Sequence, residues 1–158
     1  MRLVERIAWF GQAIAALALG LLTLHVAVDV VAQALGRPIR GTTEIAAELY
    51  MPAIVFGALA MVQRRRDEIR VDLIALALPA RANQLLDRLV QVLVAAVALW
   101  LAWQTGQHAL RALNIGEAIE IGLTTVPIWP GKAMLPLGLT ALAVAALARA
   151  GAADERPG

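Results

Sequence analysis

Leu85–Leu110 reads LLDRLVQVLVAAVALWLAWQTGQHAL, and the fold follows from how this stretch is read. Between Leu89 and Trp103 it holds eight Leu or Val residues, opposed by Gln91 alone. Each of those apolar residues favours membrane insertion by roughly 0.3 to 0.6 kcal/mol near the centre of a span. About 20 such residues in a helix cross a hydrocarbon layer ~30 Å thick. A water-soluble helix would alternate apolar and polar faces to keep a wet surface, and this one does not.

Working outward, three more stretches have the same character: Ile7–Val31, Ile45–Val62 and Val126–Leu147. With 60% hydrophobic residues and a mean hydropathy of +0.71, most of the 158-residue chain is apolar. Lipid offers no partner to exposed backbone groups, and strand-like alternation is missing, so the spans are helices. The expected fold is therefore all-α, a single integral-membrane unit over residues 1–158 with spans at about 7–31, 45–62, 85–110 and 126–147. The fourth span contains Pro136 and Gly138 and is expected to need its neighbours.

Arginine and lysine positions predict an orientation. Arg2, Arg6, Arg64, Arg65, Arg66, Arg70, Arg81, Arg88, Arg149 and Arg156 fall on one side; Arg37, Arg40, Arg111 and Lys132 fall on the other, accounting for all 14 basic residues. The richer side is expected to be cytoplasmic, with both termini inside. Because these charges flank spans rather than form a patch, the net charge of +2 does not point to nucleic acid. A cleaved signal peptide is the competing reading of the N-terminus, given Ala32-Gln33-Ala34. The apolar stretch is well beyond the 7–15 residues of a signal core, so it is read as a retained span. The absence of cysteine excludes disulfides, thiolate metal sites and cysteine nucleophiles.

The connections carry the remaining signals. In Gly36-Arg37-Pro38-Ile39-Arg40-Gly41-Thr42-Thr43, Gly and Pro end the first helix, and Thr42 or Thr43 is expected to cap the second. Glu44 and Glu48 follow one turn apart, at the end where a helix dipole favours anions. Pro52 is expected to bend the second span. The segment from Gln63 to Asp72 is arginine-rich, and Leu73–Leu78 beyond it is too short to span. It is expected to lie at the interface as a short helix, with Arg64, Arg65, Arg66 and Arg70 reaching lipid phosphates. Residues from Arg111 to about Thr125 read as a connection loosened by Asn114, Gly116 and Gly122. Trp129 is placed as an interfacial anchor, and Pro127 or Pro130 can start the last helix.

Polar residues inside spans are functional candidates. His25 and Asp29 face one way on the first span, and His108 lies at a similar depth on the third. They can be interfacial residues of no special role, polar contacts between helices or to a partner, or a site such as a bis-histidine haem or a proton relay. Ala16-x-x-x-Gly20 and Ala53-x-x-x-Gly57 are small-residue pairs of the kind that let membrane helices approach closely. No hydrolase triad, phosphate loop or dinucleotide fingerprint is present, so an enzyme is not expected. The span centres are mostly Ala, Leu and Val, lacking the polar mid-membrane groups of an independent transporter. The residues describe a membrane scaffold or accessory subunit.

Three stretches resemble the small permease subunit (DctQ-type) of TRAP transporters, the tripartite ATP-independent periplasmic carriers. They are Arg37–Glu44; Phe56–Ala60 with Arg64–Arg66 and Ile69–Ile74; and Val126–Trp129 with Leu135–Gly138. Ala32-Gln33 stands where members often have an Arg-aromatic pair, and Glu68 where many have His. The resemblance implies a division of labour. A large permease subunit carries substrate and sodium, a periplasmic solute-binding protein delivers an organic acid such as a C4-dicarboxylate, and the small subunit scaffolds the large one in the bacterial inner membrane. It implies no cofactor. Glu44, Glu48 and Gly57 are the expected partner contacts. Arg64, Arg65, Arg66, Arg70 and Trp129 are expected to meet membrane lipids. The alternative is a haem-bearing membrane anchor of a respiratory enzyme using His25 and His108.

Overall fold

The structure, a computed structural model, describes residues 2–65, 79–121 and 124–152. Helix α1 spans Arg2–Ala34. The second span is three segments in series: α2 (Thr42–Ile45), a π-helical turn (Ala46–Tyr50) and α3 (Met51–Arg65). Helix α4 covers Ala80–Asn114, strands β1 (Ala118–Ile121) and β2 (Thr124–Pro127) follow, and α5 covers Trp129–Ala152. All four spans are long and apolar enough to cross a membrane. The short helix expected over Leu73–Leu78 lies outside the described residues.

The π turn has a local cause. Proline has no amide hydrogen, so Pro52 cannot bond the carbonyl four residues back, which belongs to Glu48. The helix winds wider over Ala46–Tyr50, just before Pro52, a common way to absorb such a break. The predicted bend thus takes the form of a π segment. The predicted cap does not form. Gly41 is the N-cap, left-handed at φ 81°, and no side chain caps the helix. Thr42 instead donates its hydroxyl to the Ile39 carbonyl at 3.3 Å.

Helix packing rests on small residues. On α1, the positions turned inward follow a three-four spacing: Ala8, Gly11, Ala15, Ala18, Leu22, His25 and Asp29. On α4 the buried seam is Gln91, Ala95, Ala98, Ala102, Ala109 and Ala112, spaced as in left-handed helix pairs. Helices α1, α3 and α5 pack together as a triangle, while α4 packs along α5. Ala8, Ala60, Met61 and Ala145 form one buried cluster, and Ala95, Ala98, Ala143 and Ala146 the other. Among the described residues no large side chain is fully buried. The bulky residues point outward instead, which suits a lipid solvent as apolar as leucine.

Glycines set the triangle's closest approaches. A Cβ on Gly11 would collide with the Gly57 carbonyl, and one on Gly57 would sit 2.8 Å from the Gly11 carbonyl. A Cβ on Gly138 would strike the Phe56 carbonyl, and one on Gly131 the Glu48 carbonyl left free by Pro52. Backbone therefore lies on backbone down both sides of the second span. The pair Ala16-x-x-x-Gly20 has no such role, since nothing approaches Gly20 within 4 Å.

The connection before the last helix is ordered into a hairpin. β1 and β2 pair antiparallel, Ala118 opposite Pro127 and Ile121 opposite Thr124. Pro127 therefore closes a strand rather than opening a helix, and Pro130 takes the first turn of α5. Lys132 grips Glu117 at 2.6 and 2.7 Å, tying the base of the hairpin to α5. Ile121 lies over Gly41, where a Cβ would meet it at 2.5 Å. The hairpin thus reaches across to the α1–α2 loop.

Candidate functional site

The hairpin end gathers most of the residues singled out from sequence. Asp29 is buried at the end of α1. One carboxylate oxygen accepts the Gln33 amide at 2.9 Å, and the other accepts the Ile39 backbone N–H at 2.9 Å. These bonds fix the chain where it turns back through Arg37 and Pro38. Asp29 therefore acts as a loop clamp, bonding within its own helix and to the loop after it rather than to a second helix. His25 sits half-buried one turn earlier, its ring edge-on to Tyr50 at 5.9 Å between centroids. It joins α1 to the π turn.

His108 goes elsewhere. It is exposed on α4, and α1 and α4 share no packed face. The geometry does not bring His25 and His108 together as a ligand pair. Among the described residues no group of three or more His, Cys, Asp or Glu side chains converges as a metal site.

Glu44 is exposed and Glu48 half-buried on the π turn. Among the described residues, neither pairs with Arg37 or Arg40, which are exposed on the adjoining loop. Gly57 lies inside the molecule, at its crossing with Gly11. Trp129, 40% exposed, is the first residue of α5. Arg64 and Arg65 end α3, while Arg66 and Arg70 lie outside the described residues.

At the opposite, arginine-rich end is a contact that sequence reading missed. Gln63 of α3 donates its side-chain amide to the Gln91 side chain of α4, and both are buried. Arg149 of α5 donates to the Gln63 backbone carbonyl at 3.4 Å. Three spans are thereby joined at one level. Gln91 was visible only as a cost to insertion. Its helical register, in line with Ala95 and Ala98, was the signal that it faces a neighbour.

Two crevices among the described residues are lined by apolar side chains and glycine. One is lined by Ile7, Phe10, Gly11, Phe56, Gly57 and Met134, among others; a second lies between α4 and α5. Neither is a polar solute path.

The arrangement is that of a multi-pass membrane protein, with helices joined by small-residue seams and the buried side chains of Asp29, Thr42, Gln63 and Gln91 spent on fixing loops and helix ends. The family model described as "Tripartite ATP-independent periplasmic transporters, DctQ component" matches residues 22–154, and the chain belongs to that family. It is thus a small subunit of a TRAP transporter, a transporter component rather than an enzyme. Comparison with curated proteins and with solved structures gives no match.

Proposed function

We propose that the chain scaffolds the large permease subunit of a sodium-coupled transporter that takes up an organic acid, such as a C4-dicarboxylate delivered by a periplasmic binding protein. The observation that carries this reading is the chemistry of the spans. Their buried seams are alanine and glycine, two of their crevices are apolar, and their buried amides and Asp29 bond within the chain. A transporter that binds its own solute needs polar groups converging near mid-membrane, commonly on broken helices. The coupling ion and the substrate are therefore assigned to the large subunit.

Both termini face the cytoplasm in this reading, because basic residues crowd the end where α1 begins and α5 finishes. The hairpin, Glu44 and Glu48 then face the periplasm. With no basic partner among the described residues, these carboxylates are suited to a basic residue of a partner. Gly57 contributes indirectly, by holding α1 against α3. Arg64, Arg65, Arg66 and Arg70 meet the anionic cytoplasmic leaflet.

Copurification is the test. The chain, tagged and expressed at native level in its membrane, is expected to bring down a large multi-span permease. Substitution Glu44→Gln weakens that association if the carboxylate meets a basic group. Recovery of the chain alone under mild detergent, with transport intact in cells lacking it, would count against the scaffold role.

A further inference from the structure

We infer that the partner's transmembrane helix seats along the flank of α4 that carries Gln104, His108 and Arg111, over the groove between α4 and α5. This inference rests on the proposed pairing with a large permease subunit and adds where that subunit binds.

The first observation is polarity at depth. Gly106 of α4 lies against Pro136 of α5, where a Cβ would approach the proline Cβ at 3.7 Å. Pro136 is two helical turns, about 10 Å, inward of Trp129. With α4 and α5 antiparallel, His108 lies about 7 Å and Gln104 about 13 Å inward of that anchor. Gln104, Gln107 and His108 are all exposed. Among the described residues none of the three makes a hydrogen bond. Thr105 and Thr140 beside them satisfy their hydroxyls on backbone carbonyls one turn back. Amide and imidazole groups cannot satisfy themselves that way, and hydrocarbon offers them nothing.

The second observation is a groove in register with them. Leu93, Val94, Val97 and Leu101 of α4, with Leu139 and Leu142 of α5, line an open apolar crevice. Val94, Leu101 and His108 repeat every seven residues, as do Val97, Gln104 and Arg111, so the two lines run from groove to polar patch on one flank. The other flank, Leu99, Trp103, Leu110 and Leu113, is exposed and apolar throughout. The Gln63–Gln91 bond draws α3 toward α4 at the arginine-rich end, although the two helices share no packed face along their length.

The occupant is a membrane helix of the large subunit, apolar against Val97 and Leu101. It carries hydrogen-bond acceptors, such as a hydroxyl, carbonyl or carboxylate, opposite Gln104, His108 and Arg111. The patch is rich in N–H donors, which favours acceptors on the partner. Interhelical hydrogen bonds of this kind are a principal source of specificity in lipid.

The experiment uses the full chain in its native membrane with the large subunit that copurifies with it. A photo-cross-linking phenylalanine analogue replaces Leu101 or His108 in turn. Controls place it at Leu24 or Val28, exposed on α1. Adducts with the large subunit are expected from Leu101 and His108, many-fold above those from α1. The pair Gln104→Leu with His108→Leu is expected to weaken the association roughly tenfold, without lowering the thermal stability of the isolated chain. Adducts from α1 alone, with the complex intact, would overturn the assignment of the face and leave the scaffold reading standing. Adducts only with lipid or with a second copy of the chain would also overturn it. If no large subunit copurifies with the unaltered chain, the scaffold reading itself fails, and the inference with it.

Discussion

Helices α1 and α4 are the longest in the chain, at 33 and 35 residues, yet they meet the rest of the molecule differently. α1 belongs to a triangle with α3 and α5, where glycine lets backbone touch backbone. At membrane depth it carries exposed Thr23, which bonds the Leu19 carbonyl at 2.8 Å, and half-buried Gln12, whose side chain makes no hydrogen bond among the described residues; the rest of its exposed face there is apolar. α4 is held by an alanine seam to α5 and by one buried amide pair to α3, and its exposed face keeps three polar side chains unsatisfied within the chain. The triangle closes its helix crossings within the chain, while the α4 flank presents the exposed polar groups on which the inferred partner contact rests. If the proposed scaffold role holds, that asymmetry separates the part that must stay folded from the part that must be met.

The comparison breaks most readily at the triangle. Gly138→Leu drives a side chain into the Phe56 carbonyl, where only main chain can yield. Overpacking costs ~1–3 kcal/mol in adaptable cores, and here the upper part of that range or more is expected. Loss of a monodisperse peak in detergent would show it. Next is the amide bridge. Gln63→Leu leaves Gln91 buried without its partner, at a cost of ~1–3 kcal/mol. Adding Gln91→Leu should restore much of that loss, and a thermal-unfolding double-mutant cycle would measure the coupling. If the two losses simply added, the bridge would not be what joins α4 to α3.

Smaller effects test the loops. Asp29→Ala removes the acceptor that holds Ile39 and Gln33, with about 1–2 kcal/mol expected. Hydrogen exchange should quicken at the Ile39 amide, with the span centres unchanged. Lys132→Gln removes the grip on Glu117, a partly exposed pair worth roughly 0.2–1 kcal/mol and sensitive to salt. Leu24→Ala on the lipid face of α1 is expected to change stability by about 0.5 kcal/mol or less. A larger change there would mean that the α1 edge is not facing lipid.

The four spans were legible because hydropathy over 20 residues is a strong signal in lipid. Their ends were less so. The helices extend past the apolar stretches, α4 reaching Asn114 beyond the expected Leu110. The hairpin was missed because Asn114, Gly116 and Gly122 read as loop punctuation. The alternation Ile119-Glu120-Ile121 and the β-branched Thr124-Thr125-Val126 were the strand signals available. Gly57 stood out as a small residue, but it was read as a contact for a partner, whereas it crosses Gly11 within the chain. Spacing along one helix shows small residues, while the crossing with Gly11 depends on which helices become neighbours. The unpaired state of Glu44 and Glu48 was equally hidden, since pairing with Arg37 or Arg40 depends on the path of a loop that Asp29 fixes from ten residues away.

The central claim is that this chain supports transport without performing it. Reconstituting it into liposomes, alone and together with its large permease subunit, tests that most directly. Sodium-dependent organic-acid uptake, with the loaded binding protein supplied, is expected only when the large subunit is present. Uptake by liposomes holding this chain alone would contradict the claim.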